Sequence, residues 1–145
     1  MLVEGVCIVL MAVLVADVFL GVWSRYVMHA TFQWYDEVAR LAFVWMIFLG
    51  AAVAVRRGAH FRLHLLIDRF GPLTRRRVDL VVTLLVIAFA AVLLAGGIAI
   101  APLARRQVTD ALEISMLWFY GALPVGGALM IIFALPQLWA LARGR

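Results

Sequence analysis

Two ionisable residues, Asp17 and Arg40, lie inside apolar stretches of the sequence, where an unpaired charge is costly. Asp17 precedes Trp23 by six residues, or about 9 Å along a helix. Arg40 lies at a similar depth in the next apolar stretch, so we predict an interhelical ion pair between Asp17 and Arg40. The alternative is that Asp17 carries a proton or an ion in a small, self-sufficient oligomeric transporter.

A second candidate site, for a metal ion, is the row formed by His60, His64 and Asp68 at four-residue spacing. Histidines at i and i+4 can bind a metal. The row offers at most three ligands, and a solvated polar edge of a helix is the favoured interpretation. The sequence contains no nucleophile–base constellation or phosphate-binding loop, and a single cysteine, Cys7, cannot form an intrachain disulfide. We predict no cofactor, no metal and no enzymatic activity in this chain.

The composition is that of an all-α membrane protein. Of 145 residues, 67% are hydrophobic and 14% are charged, and the mean hydropathy is +1.08. A soluble domain is about 45–50% apolar and about 25% charged. The net charge of +5 could suggest nucleic acid as a partner. In a membrane protein whose arginines are concentrated on the cytoplasmic side, however, anionic lipid at that face is the nearer partner, so we predict lipid and not nucleic acid.

The distribution of charge predicts four transmembrane helices within one domain, residues 1–145. No charged residue lies between Asp79 and Arg105 or between Glu113 and Arg143, and each interval is long enough to cross a bilayer. The predicted spans are about 2–23, 36–56, 79–102 and 114–142. The N-terminus lacks the basic region and cleavage site of a signal peptide, so we expect the first span to be retained.

The arginines predict the orientation. The segment between the second and third spans carries a cluster of them: Arg56, Arg57, Arg62, Arg69, Arg75, Arg76 and Arg77. The positive-inside rule makes this segment cytoplasmic, with both termini on the same side, in a bacterial inner membrane. Four residues then anchor the second span at the outer interface: Trp34 and Tyr35 as aromatic anchors, and Asp36 and Glu37 as carboxylates that favour a helix N-terminus.

The same cytoplasmic segment contains a short amphipathic pattern at about 59–70. Its apolar residues fall on one face at 100° per residue: Leu63, Leu66, Ile67 and Phe70. We predict a helix that lies in the cytoplasmic interface.

Five short motifs occur in an order and spacing that resemble the DctQ family, the small membrane subunit of tripartite ATP-independent periplasmic (TRAP) transporters. They are WYDEVARLAFVW at 34–45, FLGAA at 48–52, RGAH at 57–60, ALEIS at 111–115 and YGALPVG at 120–126. The resemblance covers nearly the whole chain. One departure is His64, near which the family pattern has an acidic residue.

The resemblance implies a scaffold subunit that assembles with a large membrane subunit, which holds the substrate and ion sites. Such systems take up organic acids, commonly carboxylates or sialic acids, by symport with an ion, usually sodium. A periplasmic binding protein delivers the substrate. The outward residues Arg105, Arg106, Asp110 and Glu113 then form a candidate docking face for the binding protein, with plain solvation of the interface as the alternative. A four-span membrane enzyme of the glutathione-transferase type is a further alternative.

Overall fold

The computed structural model describes residues 2–29, 32, 34–58 and 72–143. They form α1 (Leu2–Tyr26), α2 (Trp34–Arg56), α3 (Pro72–Ala104), α4 (Leu117–Tyr120) and α5 (Ala122–Ala142). No strand is present in this described part of the chain, where an isolated antiparallel bridge joins Val108 to Ser115. The predicted amphipathic helix at 59–70 and the row His60, His64, Asp68 lie outside the described residues.

Four helical segments are long and apolar enough to cross a membrane, as predicted: Leu2–Tyr26, Trp34–Arg56, Arg76–Ala104 and Leu117–Leu141. The second of them begins at Trp34, so the acidic residues Asp36 and Glu37 lie in its first turn. Free N–H groups and the positive end of the helix dipole favour carboxylates at that position. The apolar part of α2 is short, and these flanking turns bring the helix to 23 residues, enough to span a bilayer.

The helices pack so that α5 lies against α3 and also against α2, while α1 packs chiefly against α2. The core between α2, α3 and α5 is built from small or flexible side chains: Ala52, Val55, Ala90, Met130 and Ala134. In α1 only Asp17 and Ser24 are buried. The first helix is therefore a peripheral element with a large exposed apolar surface.

Two glycines permit the close packing of α3 on α5. A Cβ atom added to Gly97 would overlap Cδ of Pro124, and one added to Gly127 would lie 2.7 Å from the carbonyl oxygen of Ala90. Small residues that let helix backbones approach are typical contact points in membranes. Pro124 lies in the first turn of α5, where its missing N–H costs no helical hydrogen bond.

The two ends of the bundle differ in chemistry. At one end, here called the arginine end, Arg57 pairs with Glu4 at 3.0 Å, and Arg76 Nε donates to the carbonyl oxygen of Leu141 at 3.0 Å. Gln137 Nε2, nearby on α5, donates to the carbonyl oxygen of Val55 at 2.6 Å. The opposite end, called the hairpin end, contains the start of α2 and the segment between α3 and α4.

Candidate functional site

A carboxylate at the start of α2 holds the segment between α3 and α4. Glu37 Oε1 accepts a hydrogen bond from the backbone N–H of Ala111 at 2.8 Å, and Oε2 accepts one from Leu112 at 2.9 Å. Two consecutive amides that point at one anion form a small anion-binding concavity. Hydrogen bonds to an ionised acceptor are stronger than neutral ones. Glu37 therefore links the first turn of α2 to the segment between α3 and α4.

The segment that Glu37 binds is a short hairpin, residues 107–116. The backbone N–H of Thr109 donates to the carbonyl oxygen of Ile114 at 2.9 Å, and that of Met116 donates to Gln107 at 2.9 Å. Glu113 closes the turn in the left-handed region, at φ 52°. The side-chain hydroxyl of Thr109 also accepts from the N–H of Ile114 at 3.3 Å. These bonds fix the turn so that its tip presents amides to α2.

Two further contacts fasten the hairpin end to the bundle. The Ser115 hydroxyl donates to the carbonyl oxygen of Ala104 at 3.2 Å and accepts from the N–H of Leu117 at 3.2 Å, which joins the end of α3 to the start of α4. Trp45 Nε1 on α2 donates to the carbonyl oxygen of Trp118 at 2.9 Å. The hairpin, α4 and α2 therefore form one connected unit.

Arg40 lies beside this unit. It is exposed and lines a cavity of about 390 Å³ together with Glu37, Asp110, Phe119 and other residues of α2, the hairpin and α4. This cavity, the Arg40 cavity, combines a guanidinium with apolar walls at the hairpin end.

Asp17 lines a different cavity, of about 310 Å³, between the hairpin-end halves of α1 and α2. The side chain is buried, with 6% of the residue exposed, and its Oδ2 atom has no hydrogen-bond partner among the described residues. Asp36, Tyr35 and Arg25 line the same cavity, called here the Asp17 cavity.

The structure does not bring Asp17 and Arg40 together, in contrast to the predicted pair. Ala39 lines the Asp17 cavity and Arg40 the other one, and successive residues of a helix point about 100° apart. The same rotation separates Asp36, which faces Asp17, from Glu37, which binds the hairpin. The sequence predicted a common depth for the two residues, but it did not predict the direction in which each side chain points around its helix.

The predicted anchors lie at the hairpin end. Trp34 is exposed and Tyr35 is half-buried, with ring centroids 3.8 Å apart. Tyr35 also packs edge-on to Phe32, with ring centroids 6.2 Å apart, and its side chain faces Gly21 of α1. An added Cβ at Gly21 would be 3.6 Å from the Tyr35 Cβ, an ordinary van der Waals distance, so an alanine would fit at this position.

The candidate docking residues all belong to the hairpin or its approach. Arg105 and Arg106 follow the last residue of α3, and Asp110 and Glu113 lie in the turn at the tip. All four are exposed. The hydrogen bonds from Ala111 and Leu112 to Glu37 hold the turn that carries the two acidic residues, Asp110 and Glu113.

Sequence reasoning missed the contact partners of Glu37 and Trp45. Both residues belong to the motif at 34–45. The partners of Glu37 lie in the motif at 111–115, and the partner of Trp45 lies between that motif and the one at 120–126. The occurrence of these motifs together in one chain was the only sequence signal of a contact between them. No group of three or more His, Cys, Asp or Glu residues that could hold a metal occurs in residues 2–58 and 72–143 as far as they are described.

The four apolar helices, the charged arginine end and the hairpin end define a small multi-pass membrane protein. A model of the family described as "Tripartite ATP-independent periplasmic transporters, DctQ component" matches residues 10–144. The chain therefore belongs to the DctQ family, a component of TRAP transporters. The family is a transporter class and not an enzyme class.

Individual relatives are consistent with the family. The chain is 27% identical over 145 residues to the sialic acid TRAP transporter small permease protein SiaQ of Vibrio cholerae, covering 97% of this chain and 81% of the relative. It is 31% identical over 124 residues to the sialic acid TRAP transporter permease protein SiaT of Haemophilus influenzae, covering 86% of this chain and 20% of that longer protein. A putative TRAP transporter small permease protein, also from Haemophilus influenzae, is 32% identical over 69 residues, 48% of this chain and 43% of the relative.

Proposed function

We propose that this chain is the scaffold subunit of a TRAP transporter and assembles one-to-one with a large membrane subunit. The observation that carries the proposal is the family match over residues 10–144. The similarity to one fifth of a much longer permease protein supports it, because a chain like this one is there part of a larger membrane protein. The exposed apolar surface of α1 offers area for packing in the membrane.

The proposed orientation places the arginine end in the cytoplasm and the hairpin end in the periplasm, in the inner membrane, with both termini cytoplasmic. The clustering of Arg56, Arg57, Arg76 and Arg143 near the ends of helices on one side of the bundle supports it by the positive-inside rule. The aromatic residues Trp34 and Tyr35 at the other end suit an interfacial belt.

The proposed transport reaction is uptake of an organic acid, either a carboxylate or a sialic-acid-like compound, driven by an ion gradient with sodium as the expected ion. The names of two sialic acid TRAP relatives support this substrate class. The substrate and sodium would be bound by the large subunit. A periplasmic binding protein would deliver the substrate and contact the hairpin end, at Arg105, Arg106, Asp110 and Glu113, and anionic lipid would contact the arginine end.

Co-purification tests the proposal. The chain, carrying an affinity tag, is expressed with a large TRAP membrane subunit from the same genome, and the complex is extracted in mild detergent. We expect the two proteins to elute together in equal amounts, and uptake in cells to require both. Elution of this chain alone as a homo-oligomer that transports without the large protein would contradict the scaffold role and favour a self-sufficient transporter that uses Asp17.

A further inference from the structure

One carboxylate oxygen of Asp17, Oδ2, is a buried acceptor without a donor among the described residues. Only 6% of the residue is exposed, so water has little access to this oxygen. Burying a charged group without a hydrogen bond is costly, and such groups are almost always satisfied by some partner. Since Asp17 lines a cavity of about 310 Å³, that space is where a donor can reach it.

The remaining lining of the Asp17 cavity indicates the chemistry of the donor. Asp36 adds a second carboxylate, and the rings of Tyr26 and Tyr35 also line the space. Carboxylates together with aromatic rings favour an organic ammonium group, through charge, hydrogen bonds and cation–π attraction. Arg25 lines the same cavity and supplies a guanidinium, which is suited to bind a phosphate. One cavity therefore offers anionic and cationic groups together.

An apolar groove of about 790 Å³ runs along the same helix toward the arginine end. Met11, Val15 and Phe19 of α1 and Met46 of α2 are among its lining residues. The groove and the Asp17 cavity lie along one face of α1, because Met11, Val15, Val18 and Val22 form one row at steps of three and four residues. Met11 and Val15 line the groove, and Val18 and Val22 line the cavity.

We propose that the Asp17 cavity and this groove together bind one phospholipid whose head carries a primary ammonium and a phosphate. Asp17 and Asp36 accept hydrogen bonds from the ammonium, Arg25 binds the phosphate, and an acyl chain lies along the apolar ridge of α1. A phosphatidylglycerol head has no ammonium to satisfy Asp17. A phosphatidylcholine head has an ammonium without N–H donors. Phosphatidylethanolamine has both an ammonium with N–H donors for the carboxylates and a phosphate for Arg25. This site is distinct from the proposed scaffold function and does not depend on it.

Native mass spectrometry of the purified protein, with its membrane partner if the two co-purify, tests the site. The protein is titrated with phosphatidylethanolamine, phosphatidylcholine and phosphatidylglycerol of identical acyl chains. We expect phosphatidylethanolamine to bind most tightly. Asp17→Asn and Arg25→Gln should each weaken its binding by about tenfold, since each removes the charge that strengthens a hydrogen bond to the lipid head. Glu113→Gln, which removes an exposed carboxylate at the same end but outside the cavity, should leave the binding of all three lipids unchanged.

Equal binding of the three lipids, or unchanged binding of phosphatidylethanolamine to Asp17→Asn, would overturn the proposal. If Asp17→Asn leaves lipid binding intact and instead weakens association with the large subunit, the cavity receives a basic side chain of that subunit and the lipid assignment is wrong. Arg25 is exposed, so we expect Arg25→Gln to fold. If Asp17→Asn is poorly produced, unchanged binding of phosphatidylethanolamine to Arg25→Gln would likewise contradict the proposal. The readout needs no transport, so its failure is distinguishable from failure of the scaffold role.

Discussion

Glu37 and Ala111, which are 74 residues apart in the chain, are joined by a hydrogen bond of 2.8 Å from the backbone N–H to Oε1. With the parallel bond from Leu112, it fastens the hairpin to the first turn of α2. The contact fixes the position of exposed charges at the end of the molecule that the proposed orientation assigns to the periplasm. A small membrane subunit can in this way present a shaped surface while its helices stay in the bilayer.

Glu37→Gln should loosen the hairpin. The amide side chain has one acceptor oxygen instead of two and no charge, so one of the two amides at the tip loses its partner. We expect hydrogen exchange at Ala111 and Leu112 to become several-fold faster, with exchange in the core of α3 and α5 unchanged. Asp36→Asn is the matched control, because Asp36 faces the other cavity. Slow exchange at both amides in Glu37→Gln would show that the hairpin is held by other contacts.

Gly97→Ala and Gly96→Ala form a matched pair. A Cβ atom at Gly97 would overlap Pro124 Cδ, whereas one at Gly96 would have nothing within 4 Å. Overpacking typically costs about 1–3 kcal/mol, so Gly97→Ala should lower the thermal unfolding midpoint in detergent. Gly96→Ala should leave it unchanged or raise it slightly, because alanine has the higher helix propensity. Equal midpoints for the two variants would contradict the packing of α3 on α5 described above.

Asp17→Asn and Arg40→Ala should act independently. The two side chains line different cavities, and separate sites have additive effects on the free energy of unfolding to within about 0.5 kcal/mol. The double variant, compared with both single variants by thermal unfolding, measures this coupling. A coupling clearly larger than that, with Asp17→Asn compensating Arg40→Ala, would restore the ion pair predicted from the sequence.

Charge reversal at the foot of the hairpin tests the proposed docking face. Arg105→Glu with Arg106→Glu should weaken uptake several-fold at limiting binding protein, because complementary charge steers association. The membrane complex should still assemble, since both residues are exposed. Gln107→Ala is the neighbouring control and should transport normally. Unchanged uptake in the charge-reversed variant at limiting binding protein would exclude these two arginines from the docking face.

Much of the fold could be predicted from the sequence because the bilayer imposes it. A helix needs about 20 apolar residues to cross, so the intervals free of charge locate the spans, and the acidic residues before Leu41 mark where α2 begins. The order of short motifs also led to the right family. These signals are local, since they depend on composition and on spacing along the chain.

Only the tertiary structure decided which residues meet. Asp36 and Glu37 are neighbours with the same charge, yet one lines the Asp17 cavity and the other binds the hairpin. Depth along an axis follows from residue number at 1.5 Å per residue, but the rotation of each helix about its axis follows from packing. In this bundle that packing includes close contacts such as Gly97 on Pro124 and Gly127 on Ala90. The sequence therefore determined that four helices are long and apolar enough to span a membrane, and the packing of the helices determined the partners of their polar side chains.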